Sequence, residues 1–199
     1  MNLSKLFELQ RKLDDNIEKK HPRQPGEDRL AKKILALYSE LGELLNEWRE
    51  FKYWSYDQEP RTLVEYEVCK YCNGLGFLEG EIPSPCPVPN CVDGELTKNP
   101  LLEEFADCLH FILSIGLDIG FDPEDWEFEG EQYHDLTEQF IALNKAIIEF
   151  YEKPYEMHYV EIFDLFIGLG KMIGFTCEQI EEAYMKKNSE NHRRQVNGY

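Results

Sequence analysis

No run of about 18 apolar residues occurs anywhere in the chain, which excludes a membrane-spanning helix of ordinary length. Positive charge is scarce too: 21 Lys and Arg stand against 39 Asp and Glu, a formal net charge of −18. That balance argues against a general nucleic-acid binder and against adhesion to anionic membranes. It leaves room for phosphate-bearing small molecules, because a cation can mediate between acidic protein and acidic ligand. The first residues, MNLSKLFELQ, lack the apolar centre of a secretory signal and read as amphipathic helix, so a cytoplasmic location with reduced thiols is expected. What is present is the material of a folded protein, 42% hydrophobic and 13% aromatic residues. At 199 residues the chain suits one compact domain with an insertion.

The stretch Leu101–Ile119, LLEEFADCLHFILSIGLDI, contains no Lys or Arg. At helical spacing its apolar side chains surround the axis except for one narrow strip, the pattern of a helix packed on most sides. That strip carries Glu104 and Asp107, one turn apart. Two like charges in a core are costly unless a positive group compensates them, and this helix supplies none. Upstream, Arg29–Phe51 has an apolar stripe of Leu30, Ile34, Leu37, Leu41, Leu44, Leu45 and Trp48, with Glu40, Glu43 and Glu47 along its edge. Facing helices bearing E-x-x-E and E-x-x-D would form a cage of four carboxylates suited to Mg²⁺ or Mn²⁺. An E-x-x-E spacing alone is usually a solvated acidic edge. The second pair, set in an apolar helix, favours the cage.

Further helices are expected at Leu3–Ile17, Tyr133–Tyr151, Met157–Ile173 and Cys177–Lys187. Gln10 and Asn16 lie in the first, as surface amides or as ligand contacts. The run FKYWS (Phe51–Ser55) could wall a pocket for a flat base or simply close a core. Glu104 and Asp107 recur as Glu161 and Asp164, in a register that sets Gln139 and Ala142 where Glu40 and Glu43 stand. The pattern reads as a duplicated helix pair in which only the first copy keeps a full cage. The last residues, KKNSENHRRQVNGY, reverse the charge sign. They read as a helix end followed by a frayed tail, or as a basic, amide-rich segment that covers phosphate oxygens at the site.

Between residues 59 and 98 Pro and Gly become frequent, and Cys69, Cys72, Cys86 and Cys91 follow the spacing C-x2-C-x13-C-x4-C. In a reducing compartment that pattern reads as a structural, tetrahedral Zn²⁺ site, coordinatively closed and without catalysis of its own. With only Arg61, Lys70 and Lys98 as cations, the segment is a poor nucleic-acid reader. The expected organisation is 1–58 with 99–199 as an all-α helical bundle, and 59–98 as the inserted zinc module.

Together ELGEL (Glu40–Leu44), FKYWS, LLEEFADCLHF (Leu101–Phe111), LFELQRKLDDNI and the K-N-x-x-N-x-x-R-Q-x-x-G-Y tail resemble the dimeric, all-α dUTPases, within the wider all-α nucleoside triphosphate pyrophosphatase group that includes the MazG-like enzymes. The cysteine-rich insertion departs from that family's short connection. The resemblance implies a homodimer that hydrolyses dUTP, and dUDP as well, to dUMP. Glu40, Glu43, Glu104 and Asp107 would be the Mg²⁺ ligands, with Glu43 orienting and deprotonating the attacking water. Lys187, Asn188, Asn191, Arg194 and Tyr199 would contact the nucleotide, and Gln10, Asn16 and Trp54 the uracil. Two rival readings are a pyrophosphatase for another nucleotide, such as dCTP or a modified one, and a non-catalytic interaction protein that docks through the zinc module.

Overall fold

The computed structural model describes residues 1–80 and 83–198. Its described residues form six α-helices: α1 (Leu3–Lys20), α2 (Arg29–Trp48), α3 (Pro100–Ile119), α4 (Leu136–Glu152), α5 (Glu156–Ile173) and α6 (Cys177–Asn197). Five short strands, β1 (Val64–Val68), β2 (Phe77–Leu78), β3 (Ser84–Pro85), β4 (Cys91–Val92) and β5 (Glu95–Lys98), lie between α2 and α3. The chain divides into two compact units, Met1–Leu45 with Leu102–Tyr199, and Asn46–Leu101. The second takes in the last turn of α2 and the aromatic run as well as the cysteines.

The larger unit is all helix, and α3 lies at its centre. Phe105, Leu109, Ile112 and Leu113 of α3 are fully buried, as are Leu37 and Leu41 of α2, Leu143 and Ile147 of α4, and Phe163 and Phe166 of α5. Phe105 stacks on Phe166 with ring centroids 4.1 Å apart, and the buried Tyr159 hydroxyl donates to the Ile112 carbonyl at 3.0 Å. A near-continuous apolar surface on α3 thus meets partners on most sides, leaving its polar strip for another use.

Helix boundaries follow local chemistry. Asn2, Asp135 and Thr176 cap α1, α4 and α6, Thr176 with Gln179 in a reciprocal capping box. α5 ends at Gly174, whose φ of 96° closes the C-terminus in the left-handed region. α2 stops at Trp48 rather than Phe51: Arg49 takes φ 69° and its guanidinium holds Asp57 at 2.6 Å. The largest departure from expectation is α6, which continues past Lys187 to Asn197 instead of fraying.

At the positions that the sequence repeat aligns with the acidic pairs, α4 and α5 carry loop contacts. Gln139 is fully buried and donates to the carbonyls of Glu131 (2.8 Å) and Leu165 (2.7 Å), while its oxygen accepts from the Tyr133 N–H at 2.7 Å. Asp164 accepts from the Gly130 N–H at 2.8 Å. A Cβ on Gly168 would meet the Glu131 carbonyl oxygen at 1.8 Å, so only glycine lets this loop approach. In the second half these positions anchor the loop before α4, and Glu161 is exposed.

In the smaller unit the strands pair antiparallel in the order β1-β5-β4, and β2 pairs with β3. Gly94, at φ 95°, packs where a Cβ would lie 2.1 Å from the Gly74 carbonyl oxygen, drawing the two cysteine-bearing turns together.

Candidate active site

Helices α1, α2, α3 and α6 of the larger unit line a cleft of about 820 Å³. α2 contributes Glu40 and Glu43, α3 Glu104 and Asp107, and α6 Lys187, Asn191 and Arg194. Residues three, four or seven apart share one helical face, so each set is aimed by its own helix. Carboxylate oxygens of Glu40, Glu43 and Glu104 come within 4.8 Å of one another, a grouping that can hold a metal ion. Asp107, one turn along α3, is paired instead with the Lys187 ammonium at 2.6 Å.

The electrostatics are those of crowded acid groups. Burial raises the Glu40 pKa, and Asp107 and Glu43 raise it further. Burial, then Asp107 and Glu43, pushes Glu104 up to about 7. Burial also raises Asp107, although Lys187 pulls in the opposite direction. Burial works against the charge of Lys187, yet Asp107 holds its pKa above the usual lysine value. Close carboxylates whose charged forms are disfavoured constitute a hard-oxygen donor set waiting for positive charge, and a divalent cation with oxygen coordination fits it.

The same cleft is also lined by a polar cluster that the sequence alone does not reveal. Gln10 is buried; its amide nitrogen donates to Asp14 at 2.7 Å, and its oxygen accepts from the Tyr184 hydroxyl at 2.9 Å and lies 2.8 Å from His110 Nδ1. Asp14 also accepts from Ser114 Oγ at 2.5 Å and pairs with Lys33 at 3.4 Å. Lys33 and Arg23 both reach Asp118, at 3.0 and 2.8 Å. The legible signal was the polar strip of α3, which runs on past Asp107 through His110 and Ser114 to Asp118 at helical spacing.

The other expected contacts divide. Asn16 is half-buried and does not line the cleft: six residues beyond Gln10, it is turned about 120° away on α1. Asn188 is buried beside Lys187, and its amide nitrogen has no hydrogen-bond partner among the described residues. Trp54 belongs to the smaller unit, is 66% exposed, and meets Phe51 and Tyr53 edge-on. Tyr199 lies outside the described residues.

In the smaller unit Cys69, Cys72, Cys86 and Cys91 gather their sulfurs within 4.8 Å, a cluster that can also hold a metal ion. The Cys69–Cys86 and Cys72–Cys91 separations are 3.8 and 3.7 Å, far beyond a disulfide and close to the roughly 3.8 Å edge of a tetrahedron with Zn–S bonds of about 2.3 Å. The Gly76 N–H donates to Cys72 Sγ at 3.3 Å, a bond that favours thiolate. Burial pushes the Cys91 thiol up to about 12, and the neighbouring sulfurs add to it, so four thiolates need a cation among them.

The family model for dUTPase matches residues 2–78 and 93–199. The chain belongs to the dUTPase family. Its substrate is a nucleotide and its reaction is the hydrolysis of dUTP, the activity of a dUTP diphosphatase. The interruption at 79–92 falls in the cysteine-rich unit and takes in Cys86 and Cys91. Among curated proteins no match to the chain is found. None of the dUTPase's described helices is long and apolar enough to cross a membrane.

Proposed function

We propose that this dUTPase works through Mg²⁺, or Mn²⁺, held by Glu40, Glu43, Glu104 and Asp107, and that it converts dUTP, and dUDP as well, to dUMP. The observation that supports this most is the clustering of Glu40, Glu43 and Glu104 in the same cleft as Lys187, Asn191 and Arg194. A divalent cation there would neutralise the polyphosphate and lower the pKa of the attacking water. Glu43, the exposed member of the cluster, would orient that water and accept its proton. Asp107 would exchange Lys187 for the cation, and the freed ammonium, with Arg194, would hold phosphate oxygens. Asn188 and Asn191 would add amide contacts to the nucleotide, and Tyr199 a contact from the end of the tail. Gln10 would contact the base, with Asn16 and Trp54 as further base contacts. The test is pyrophosphate release from a panel of deoxy- and ribonucleotides with Mg²⁺ and with EDTA. Mg²⁺-dependent preference for dUTP is expected; turnover that persists in EDTA would remove the metal reading.

The raised Glu104 pKa gives two opposite pH dependences. Metal displaces protons, so Mn²⁺ affinity should fall as pH drops below about 7. Without metal the sign reverses: between the ordinary value of 4.5 and about 7 the folded protein keeps a proton that the unfolded chain has lost. Stability of the metal-free protein should therefore decline as pH rises across that window. Thermal melts in chelator and Mn²⁺ titrations over the same pH series check both; parallel trends would contradict the assignment.

The four cysteines would hold a structural Zn²⁺, with residues 59–98 as the inserted module, and the protein would act in the cytoplasm as a homodimer. Support for self-association comes from α2 and α4, which meet where the Tyr38 hydroxyl donates to the Asn144 carbonyl at 3.0 Å. Beside that contact Leu35, Ile141 and Ile148 are 68%, 64% and 52% exposed, an apolar face of the kind a partner covers. Ile141→Glu with Ile148→Glu should shift the protein to monomer in analytical ultracentrifugation without lowering its helix content. An unchanged sedimentation coefficient would remove this face from the interface.

A further inference from the structure

One residue serves the ends of both helices that carry the acidic pairs. The last carbonyls of α2 and the first N–H groups of α3 have no partners within their own helices. Arg61 supplies a partner to each. Its N–H donates to the Glu47 carbonyl at 2.9 Å, and its carbonyl accepts from the Leu101 N–H at 3.1 Å. The Arg61 guanidinium adds an ion pair with the Glu47 carboxylate at 3.4 Å. Glu47, Arg61 and Leu101 all lie within the smaller unit.

This bridge is the end of a longer ladder. Val64 pairs with Lys98 across β1 and β5, and Arg61 and Leu101 stand three residues outside that pair, in the same antiparallel register. At the opposite end, one residue beyond the Val68–Glu95 pair, the Cys69 N–H donates to the Gly94 carbonyl at 2.8 Å. There Cys69 and Cys72 enter the four-sulfur cluster. The ribbon therefore has the cysteines at one end and the ends of α2 and α3 at the other. Strands of four or five residues are marginally stable alone, so the register at Arg61 depends on what gathers the sulfurs.

Helical continuity carries that spacing onward. Glu43 stands one turn before Glu47 on α2, and Glu104 one turn after Leu101 on α3. Burial and then the neighbouring carboxylates raise Glu40 and Glu104, the mark of like charges held close. A tie one turn away opposes the separation that this repulsion favours. We infer that Arg61 is a positioning residue for the cation site: its main chain ties α2 to α3 and sets the separation of Glu40 and Glu43 from Glu104, in a register that the four cysteines hold. The inference rests on the reading of these carboxylates as a Mg²⁺ or Mn²⁺ site.

The experiment titrates Mn²⁺ into the nucleotide-free protein, read by electron paramagnetic resonance, for the parent, Arg61→Pro, Arg61→Ala and Cys72→Ser. The Thr62 N–H donates to the Pro60 carbonyl at 3.0 Å, a three-residue turn centred on Arg61, whose φ is not positive. Such an inverse turn has a central φ of about −75°, which proline accepts, so Arg61→Pro removes the N–H and leaves the turn. Arg61→Pro and Cys72→Ser should each weaken Mn²⁺ binding by about tenfold or more, the scale seen when the supports of metal ligands are lost. Helix content by circular dichroism should be retained. Arg61→Ala keeps both main-chain bonds and loses only a half-exposed ion pair, so its affinity should fall much less. The Mg²⁺ concentration for half-maximal dUTP turnover should rise in the same order. Parental Mn²⁺ affinity in Arg61→Pro or in Cys72→Ser overturns the inference, and so does an Arg61→Ala as weak as Arg61→Pro. If Arg61→Pro fails to fold, Cys72→Ser decides alone. The reading of the carboxylates as a metal site fails separately, by a parent protein that binds no Mn²⁺.

Discussion

Glu43→Gln should reduce kcat for dUTP hydrolysis by about 10³-fold or more, with the folded protein intact. A general base contributes about 10² to 10⁴ to the rate, and the same substitution also removes one charge from the group that would hold the cation. The side chain is exposed on α2, so glutamine neither opens a cavity nor strands a buried charge. Its loss relieves like-charge repulsion on Glu40 and Glu104, both of which Glu43 pushes upward. Without metal the variant should therefore melt at the same temperature as the parent or slightly above it. Single-turnover kinetics with Mg²⁺, alongside melts in chelator, separate a chemical defect from a folding defect. Turnover within a few-fold of the parent would remove Glu43 from the reaction.

The second large effect concerns the smaller unit. Its strands are two to five residues long, and among the described residues its buried apolar positions are few, Cys69 and Cys72 prominent among them. A unit of this kind cannot bury enough surface to order itself, and the Zn²⁺ proposed for its four thiolates would supply folding free energy, on the order of 10 kcal/mol or more in small zinc domains. Cys72→Ser should lose the zinc and leave residues 46–101 open to protease within the β1 to β5 segment. Far-UV circular dichroism should retain the signal of the helical unit. Zinc content by atomic emission and limited proteolysis followed by mass spectrometry read the two effects. A variant that keeps its zinc, or stays as protease-resistant as the parent, would rule out the four-thiolate site as the organiser of this unit.

Local patterns were legible and non-local ones were not. The E-x-x-E of α2 and the E-x-x-D of α3 each place two carboxylates on one face by helical geometry alone, and so could be read directly. The four cysteines announced themselves by spacing, and their sulfurs gather at separations compatible with a tetrahedral site. The end of α6 was missed because Lys186 through Asn197 contains a single apolar residue, Val196, and so no apolar stripe. Its helicity instead brings Lys187, Asn191 and Arg194 into the cleft at i, i+4 and i+7. The pairing of Lys187 with Asp107 joins residues eighty positions apart, and no local rule could have proposed it.

The sequence by itself determined the helical class, the acidic pairs, the cysteine cluster and the resemblance to dUTPases, because each depends on side chains within one or two turns or on spacing along the chain. Only the tertiary structure decided which amide of α1 enters the cleft and which way round it is held. Gln10 meets His110 across 100 residues, Tyr184 across 174 and Asp14 one turn along α1. Residue identity sets what each group can donate or accept. Packing decides which of those possibilities remains.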